Sequence, residues 1–339
     1  MTAANLQPTN TSVVLARRPS GNPVPDDFAL ATEPLKEPRP GEVLLKNDFI
    51  SLDAGFRNWL DEDSGDDVMP AMPLGAPVMG RVLGTVERSR HPDFKPGDRL
   101  TATLAWQEYS VTDATDLLIP LPDPLAAEPH HYLGVLGDTG LSAYFGIIDI
   151  AQPQWGETAL ISAAGGAEGS IAGQIARIQG ARTVGIAGGE TKCRQLEAGL
   201  GYDAMIDRHR DWKSQLQQIC PDGVDVYFDN VGGPLLEAVL GHINEGARIV
   251  LCGAVASYGN RTPGPANLYQ LVTRQATMKG FLTHTRVEEH STAREQLARW
   301  LDDGRLRAPE YRLHGIGAVP QAFCDLFLGR NLGKTLVEL

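Results

Sequence analysis

The residues best placed to do chemistry are the glycines of Ala164-Gly165-Gly166-Ala167-Glu168-Gly169. Before them, Thr158 to Ala163 is an apolar run that reads as a buried β-strand. After them, Ile171, Ile175 and Ile178 fall three and four apart on one face of a helix that ends at Gly180. A strand, a turn short of side chains and a helix N-terminus present bare backbone N–H groups to a pyrophosphate. The spacing A-x-G-x-x-G departs from the dinucleotide fingerprint at its first position, and a plain strand-to-helix turn has the same composition. Glu168 is the adverse residue, since a carboxylate there repels phosphate unless it points away.

The next strand, Arg182 to Ala187, bears on which dinucleotide is bound. An NAD site places Asp or Glu at its tip to hold the ribose hydroxyls. Here the tip is Ala187-Gly188-Gly189, followed by Lys192 and Arg194, with Arg208 after the third strand. Cations without a carboxylate suit a 2′-phosphate, so NADP(H) is expected over NAD(H). Glu190 argues the other way, and Lys192 also reads as a solvated first-turn lysine.

The elements that must position these groups change character along the chain. Up to about residue 130 it reads as short strands punctuated by Pro and Gly: Ser12 to Ala16, Glu42 to Ile50, Arg81 to Arg88, and Asp98 to Ala105 continuing through Tyr109 to Thr112. Asp61 to Asp67 reads as an acidic surface loop, and the first dozen residues as a disordered lead-in. A helix over Thr139 to Ile150 then opens an alternation of strands and helices that lasts to about residue 304. This is the pattern of a doubly wound parallel sheet in an α/β fold. A last strand, Lys334 to Glu338, is expected to return to the first domain. The division is therefore 1–130 with 305–339, and 131–304. Ligands of such sheets lie beyond the carboxyl ends of the strands. That singles out Asn230 to Gly233, Gly253 to Tyr258, and Thr283 with His284.

A chain of 339 residues, 42% hydrophobic, has ample material for two such domains. Its net charge of −12 argues against nucleic acid or an anionic membrane as partner. With no apolar run of membrane-spanning length and no signal-peptide pattern, a cytoplasmic location is expected. Cys193, Cys220, Cys252 and Cys324 form no C-x-x-C pair, so reduced thiols are expected, with no disulfide framework or structural zinc lobe. Cys252, in an apolar strand, reads as core. His130, His131 and His242 read as structural or exposed.

Several ordered segments together resemble the medium-chain dehydrogenase/reductase superfamily, in its zinc-independent prostaglandin reductase and 2-alkenal (double-bond) reductase branch. They include Ser89 to Leu100, Leu133 to Ile150, Ser162 to Ser170, Val226 to Gly233, Leu251 to Tyr258 and Asn331 to Thr335. The resemblance implies a β-rich, GroES-like catalytic domain with a Rossmann domain, a homodimer, and NADPH-dependent reduction of the C=C bond of enals and enones. Carried over by position, it implies Gly166, Ala167, Glu168 and Gly169 at the pyrophosphate and Lys192 at the 2′-phosphate, with Arg208 adding affinity. Asn230 and the run Cys252, Gly253, Ala254, Val255, Ala256, Ser257 and Tyr258 would hold the adenosine side and ribose. Phe281, Leu282 and Thr283 would flank the nicotinamide, and Asn331 would bond its amide. Departures are Gly55 in place of a tyrosine after Ser51-Leu52-Asp53, Glu168, and the polar His284 and Arg286, which suggest a polar or anionic substrate.

All four cysteines follow residue 190, so the zinc ligands of alcohol dehydrogenases are missing and no metal is expected. Conjugate reduction needs none: hydride adds to the β-carbon, an enolate develops, and a proton reaches the α-carbon. Tyr258 is the candidate catalytic hydroxyl, toward the ribose or the enolate oxygen; its alternative is a surface tyrosine packing a loop. Trp106, Tyr144 and His284 are candidate pocket residues. Their alternatives are core for the first two and a solvated loop for the third. Asn331 could also cap a turn. A quinone reductase of the same superfamily and a non-catalytic NADP(H)-binding protein remain as alternative functions.

Overall fold

The computed structural model describes residues 8–63, 68–113, 118–259 and 262–339. Residues 64–67 of the expected acidic loop and 1–7 of the expected lead-in lie outside the described residues. The chain forms two compact units.

The first unit comprises Met1–Leu133, Arg312–Arg330 and Thr335–Leu339. It contains β1 (Thr9–Leu15), β2 (Phe28–Pro34), β3 (Val43–Leu52), β4 (Met79–Ser89), β5 (Arg99–Ala105), β6 (Tyr109–Thr112) and β7 (Ile119–Pro120). β1 starts within the expected lead-in because Thr9 to Ser12 pair antiparallel with β2, which has no clean alternation to reveal it. β5 stops at Ala105 instead of running on to Thr112. At the break, the Trp106 N–H donates to Val78 O (2.7 Å) and its carbonyl accepts from Val13 N–H (2.8 Å), and β6 pairs with β3.

The second unit comprises Gly134–Tyr311 and Asn331–Lys334. α1 (Asp138–Tyr144) runs into a π-helical turn, Phe145–Ala151. There follow β8 (Thr158–Ile161), α2 (Ala167–Ile178), β9 (Arg182–Ala187), α3 (Glu190–Leu200), β10 (Ala204–Asp207), α4 (Trp212–Ile219), β11 (Val224–Asp229), α5 (Gly233–Leu240), β12 (Ile243–Leu251), α6 (Tyr269–Thr273), β13 (Thr277–Gly280) and α7 (His290–Asp302). The six strands pair in parallel in the order β10-β9-β8-β11-β12-β13. This is the doubly wound Rossmann order, with its topological switch between β8 and β11. Ile171 and Ile175 of α2 are buried, as their spacing requires.

The chain ends with β14 (Glu310–His314), α8 (Val319–Leu328) and β15 (Lys334–Glu338). β15 pairs antiparallel with β3, in a seven-stranded sheet ordered β14-β15-β3-β4-β5-β7 with β6 also on β3. The compact units part company with the expected boundary at 305. Gln174 holds Arg307 by both backbone groups (2.8 and 2.9 Å), which ties the following segment to α2. Asn331–Lys334 also belongs with the second unit: Gly333 N–H donates to Gly165 O (2.9 Å) and Lys334 N–H to Pro309 O (3.0 Å). No helix among the described residues is long and apolar enough to cross a membrane.

Candidate functional site

The glycine turn lies at the carboxyl end of β8. Ala163 takes φ +46° and Gly166 N–H donates back to Ala163 O (2.8 Å), which reverses the chain. Gly166 then caps α2 in extended backbone, and no side chain caps the first turn. The glycines serve space here, not φ. A Cβ on Gly169 would meet the Ala163 carbonyl oxygen and lie 2.9 Å from its carbon. A Cβ on Gly165 would meet Lys192 Cε. Behind the turn, the buried Tyr202 hydroxyl donates to Gly169 O (2.7 Å). Glu168, half-buried, is close enough to Cys252 to help hold that thiol protonated, after burial itself and together with Asp229.

Next to the turn, Lys192 donates to the Asn331 carbonyl oxygen. Burial and then the positive charge of Arg208 pull its pKa down to about 8. Asn331 is itself buried, its side chain donating to Gly333 O (3.0 Å). Its amide therefore braces a backbone turn, as the capping alternative anticipates. Arg208 follows β10, bonded through its N–H to Ala187 O (2.9 Å). Glu190, the adverse acid, pairs with Arg194 and with Arg210 (2.7 Å). Asp207 accepts from Gly189 N–H (2.8 Å) and His209 N–H (3.0 Å). Burial alone would raise its pKa; those two N–H groups bring it below the ordinary carboxylate range.

A buried carboxylate at the end of β11 organises the tips across the switch point. Asp229 is fully buried and accepts from the Tyr227 hydroxyl (2.8 Å), the Ser162 hydroxyl (3.0 Å), Val231 N–H (2.9 Å) and Gly232 N–H (3.0 Å). Ser162 in turn accepts from Asn230 N–H (2.8 Å), and the Asn230 amide donates to Ser162 O (2.8 Å). Main-chain bonds join this turn to the loop after β12, from Cys252 and Gly253 N–H to Asp229 O and from Val255 N–H to Asn230 O. Tyr258 folds back on that loop, its oxygen accepting from Ala254 N–H (3.2 Å). A Cβ on Gly253 would stand 3.4 Å from the same oxygen and 3.2 Å from Asn230 O, so the phenol sits where the two tips meet. Sequence reading misses Asp229, Ser162 and Tyr227 as supports, because their only signal is a polar residue closing an apolar strand.

The remaining candidates separate. Phe281 packs on the cluster of Leu141, Phe145 and Ala293, with Leu282 half-exposed beside it. Tyr144 belongs to the same cluster, its ring 5.7 Å from Phe145 and 6.1 Å from Trp300, which is the core alternative. Trp106 is 0% exposed in the core of the first unit, 5.1 Å from Phe323 and 6.0 Å from Phe28. Thr283 is half-buried, its carbonyl bonded to the His290 ring (2.9 Å), while His284 is exposed. Arg286 is committed to structure. It lies 4.3 Å over the Phe145 ring and pairs with Asp149 and Glu289, both at 2.7 Å, so its charge is met within the protein. Cys252 is partly exposed and not fully core; the other three thiols are buried.

Residues 11–119 match a family described as the N-terminal domain of oxidoreductase, and residues 168–302 one described as zinc-binding dehydrogenase. The NADPH-dependent curcumin reductase of Escherichia coli is 36% identical over 97% of both chains. The chain belongs to the medium-chain dehydrogenase/reductase superfamily. Within that superfamily it falls in the zinc-independent reductase branch. The NADP(+)-dependent 2-alkenal reductase of Nicotiana tabacum is 33% identical, again over 97% of both chains. The crystal structure of CurA from Vibrio vulnificus in complex with NADPH superposes with a TM-score of 0.89 at 34% identity, over 97% of this chain and 98% of that one. As a member of this superfamily, the protein is an oxidoreductase with a GroES-like and a Rossmann domain.

Proposed function

We propose that this oxidoreductase binds NADP(H) along the strand tips of its Rossmann unit and reduces the conjugated C=C bond of α,β-unsaturated aldehydes and ketones. The observation that carries the reading is the tip of β9. Lys192 and Arg208 stand there beside an uncapped glycine turn, and the nearby acids are already bonded to arginines or backbone. The turn fits the group: no side chain caps the first turn of α2, and a Cβ at Gly165 or Gly169 would collide with Lys192 or with the Ala163 backbone and displace it. Its relatives, named as NADPH-dependent curcumin reductase and 2-alkenal reductase, agree with it.

Bound NADPH would supply the hydride for conjugate addition. The first-turn N–H groups of Ala167, Glu168 and Gly169 receive the diphosphate, and Lys192 with Arg208 receives the 2′-phosphate. Asn230 and the loop 252–258 shape the ribose side. Phe281, Leu282 and Thr283 line the nicotinamide end, where apolar surface excludes water, while Asn331, bonded to Lys192 and Gly333, braces the glycine turn. The Tyr258 hydroxyl, at the junction of two tips, is the group assigned to the ribose or the enolate oxygen. Replacing Tyr258 by phenylalanine should cut turnover or NADPH affinity by about tenfold, the worth of one hydrogen bond to a charged or reacting oxygen. Unchanged steady-state kinetics would leave Tyr258 with a structural role alone.

Assembly as a homodimer fits the free edge of the sheet. β13 is its last strand among the described residues, and the adjoining α6 exposes Tyr269 (73%) and Val272 (66%). Two copies related by a two-fold axis would pair these edges and cover that apolar surface. Free thiols fit the cytoplasmic reading.

The deciding experiment assays enals, enones and quinones with each nicotinamide, following nicotinamide absorbance. Enal- and enone-dependent oxidation of NADPH, faster than with NADH, is expected. Turnover of quinones alone would move the protein to the quinone reductases. Nicotinamide binding without turnover of any acceptor would leave a non-catalytic binding protein.

A further inference from the structure

Two side chains converge on the glycines that follow β9. An ideal Cβ on Gly188 would stand 2.9 Å from Arg208 Nε, 2.9 Å from His209 Nε2 and 3.0 Å from His209 Cε1. On Gly189 it would stand 3.9 Å from His209 Nδ1. The imidazole therefore lies against the bare backbone of the tip, beside the Arg208 guanidinium. Any side chain at position 188 would displace both. The placement is built in: Asp207 binds Gly189 N–H and His209 N–H at once, locking the residue that carries the ring to the tip it covers.

The charges around the ring sort into paired and unpaired. Glu190 pairs with Arg194 and Arg210, and Asp207 spends its carboxylate on backbone N–H groups, with Arg210 at 3.7 Å. Among the described residues the Arg208 and His209 side chains hold no hydrogen bond or ion pair. Lys192, which feels the Arg208 charge, completes the group. A β9 tip without a carboxylate is where a Rossmann sheet receives the adenosine ribose and its 2′ substituent.

We propose that His209 is a specificity-determining residue for the adenosine 2′-phosphate, its ring nitrogen donating to the phosphate alongside Arg208. This rests on the NADP(H) reading above and adds to it a ligand that the β10-to-α4 turn alone brings into place. The assignment separates from adenine stacking, which would favour phosphorylated and unphosphorylated nucleotides equally.

The test measures binding by calorimetry and needs no turnover. The probes are 2′,5′-ADP and 5′-AMP, titrated into the unmodified protein and into His209→Gln. The substitution should weaken 2′,5′-ADP by about three- to tenfold, the worth of one partly exposed hydrogen bond to phosphate, and leave 5′-AMP unchanged. His209→Lys should restore most of the loss. An unchanged 2′,5′-ADP affinity, or equal losses for both probes, would overturn the proposal. Failure of the unmodified protein to prefer 2′,5′-ADP would overturn the NADP(H) reading itself, a result distinguishable from either. His209 is exposed, so retained 5′-AMP affinity also reports that the fold is intact.

Discussion

Lys192→Ala is expected to weaken NADPH binding by about 10- to 100-fold and to change NADH binding by less than about threefold. The estimate is that of one charge-assisted hydrogen bond to phosphate, about 1.5–3 kcal/mol. The asymmetry is the informative part, because NADH lacks the group that the ammonium meets. A pH series gives a second handle. Burial and Arg208 bring the Lys192 pKa down to about 8 in the free protein. Below that pH the side chain is charged; as pH rises through it, the free protein loses the cation. A bound phosphate would favour the charged form and raise the pKa, so NADPH binding above pH 8 must also take up a proton. The preference for NADPH over NADH should therefore be flat from about pH 7 to 8, where the 2′-phosphate is doubly ionised, and decline above pH 8, by up to about tenfold per unit. In Lys192→Ala that decline should vanish. Equal losses for both nucleotides in fluorescence titrations would show instead that Lys192 acts only through its bond to Asn331.

Gly169→Val is expected to abolish measurable binding of both nucleotides. The first added carbon meets the Ala163 carbonyl oxygen, and lies 2.9 Å from the Ala163 carbonyl carbon and 3.0 Å from Ala164 Cα. These are backbone atoms of the turn, so no rotamer relieves the contact. The helix cannot retreat freely either, since Tyr202 holds Gly169 O from behind at 2.7 Å. The N–H groups of the first turn must move out of register. Overpacking of this kind costs about 1–3 kcal/mol of stability, so the variant should fold with a lowered Tm. Gly165→Ala is the contrast, because its Cβ meets the flexible end of Lys192. It should affect NADPH and spare NADH. Circular dichroism beside the titrations distinguishes lost binding from lost fold. Retention of NADH binding by a folded Gly169→Val protein would refute the role given to this turn.

The parts of the site legible in sequence are those fixed by near neighbours. The strand before Ala164, the isoleucine face of α2 and the missing acid after β9 are all read within some 30 consecutive residues, and the β/α alternation is a succession of such local patterns. Less was legible where packing decides. Trp106 has the composition of a pocket wall, yet Phe28 and Phe323 from distant segments enclose it, and Tyr144 packs against Trp300. Arg286 reads as a charge for substrate until Asp149 and Glu289 are seen beside it. β2 and α6 carry too little periodicity to be read, and β1, legible from Ser12 on, gains Thr9 to Thr11 only through pairing with β2.

A Rossmann unit with a glycine turn suited to NADP(H) can be read from the chain alone, because hydrophobic period and turn composition are local properties. Which polar groups surround that turn is set by packing. Lys192 reaches Asn331 across 139 positions, Asn230 reaches Ser162 across 68, and Gly333 closes on Gly165. Such partners are chosen by the sheet order, which brings strand tips together regardless of their separation along the chain. A side chain's remaining capacity to bind a ligand is known only after those internal bonds are counted.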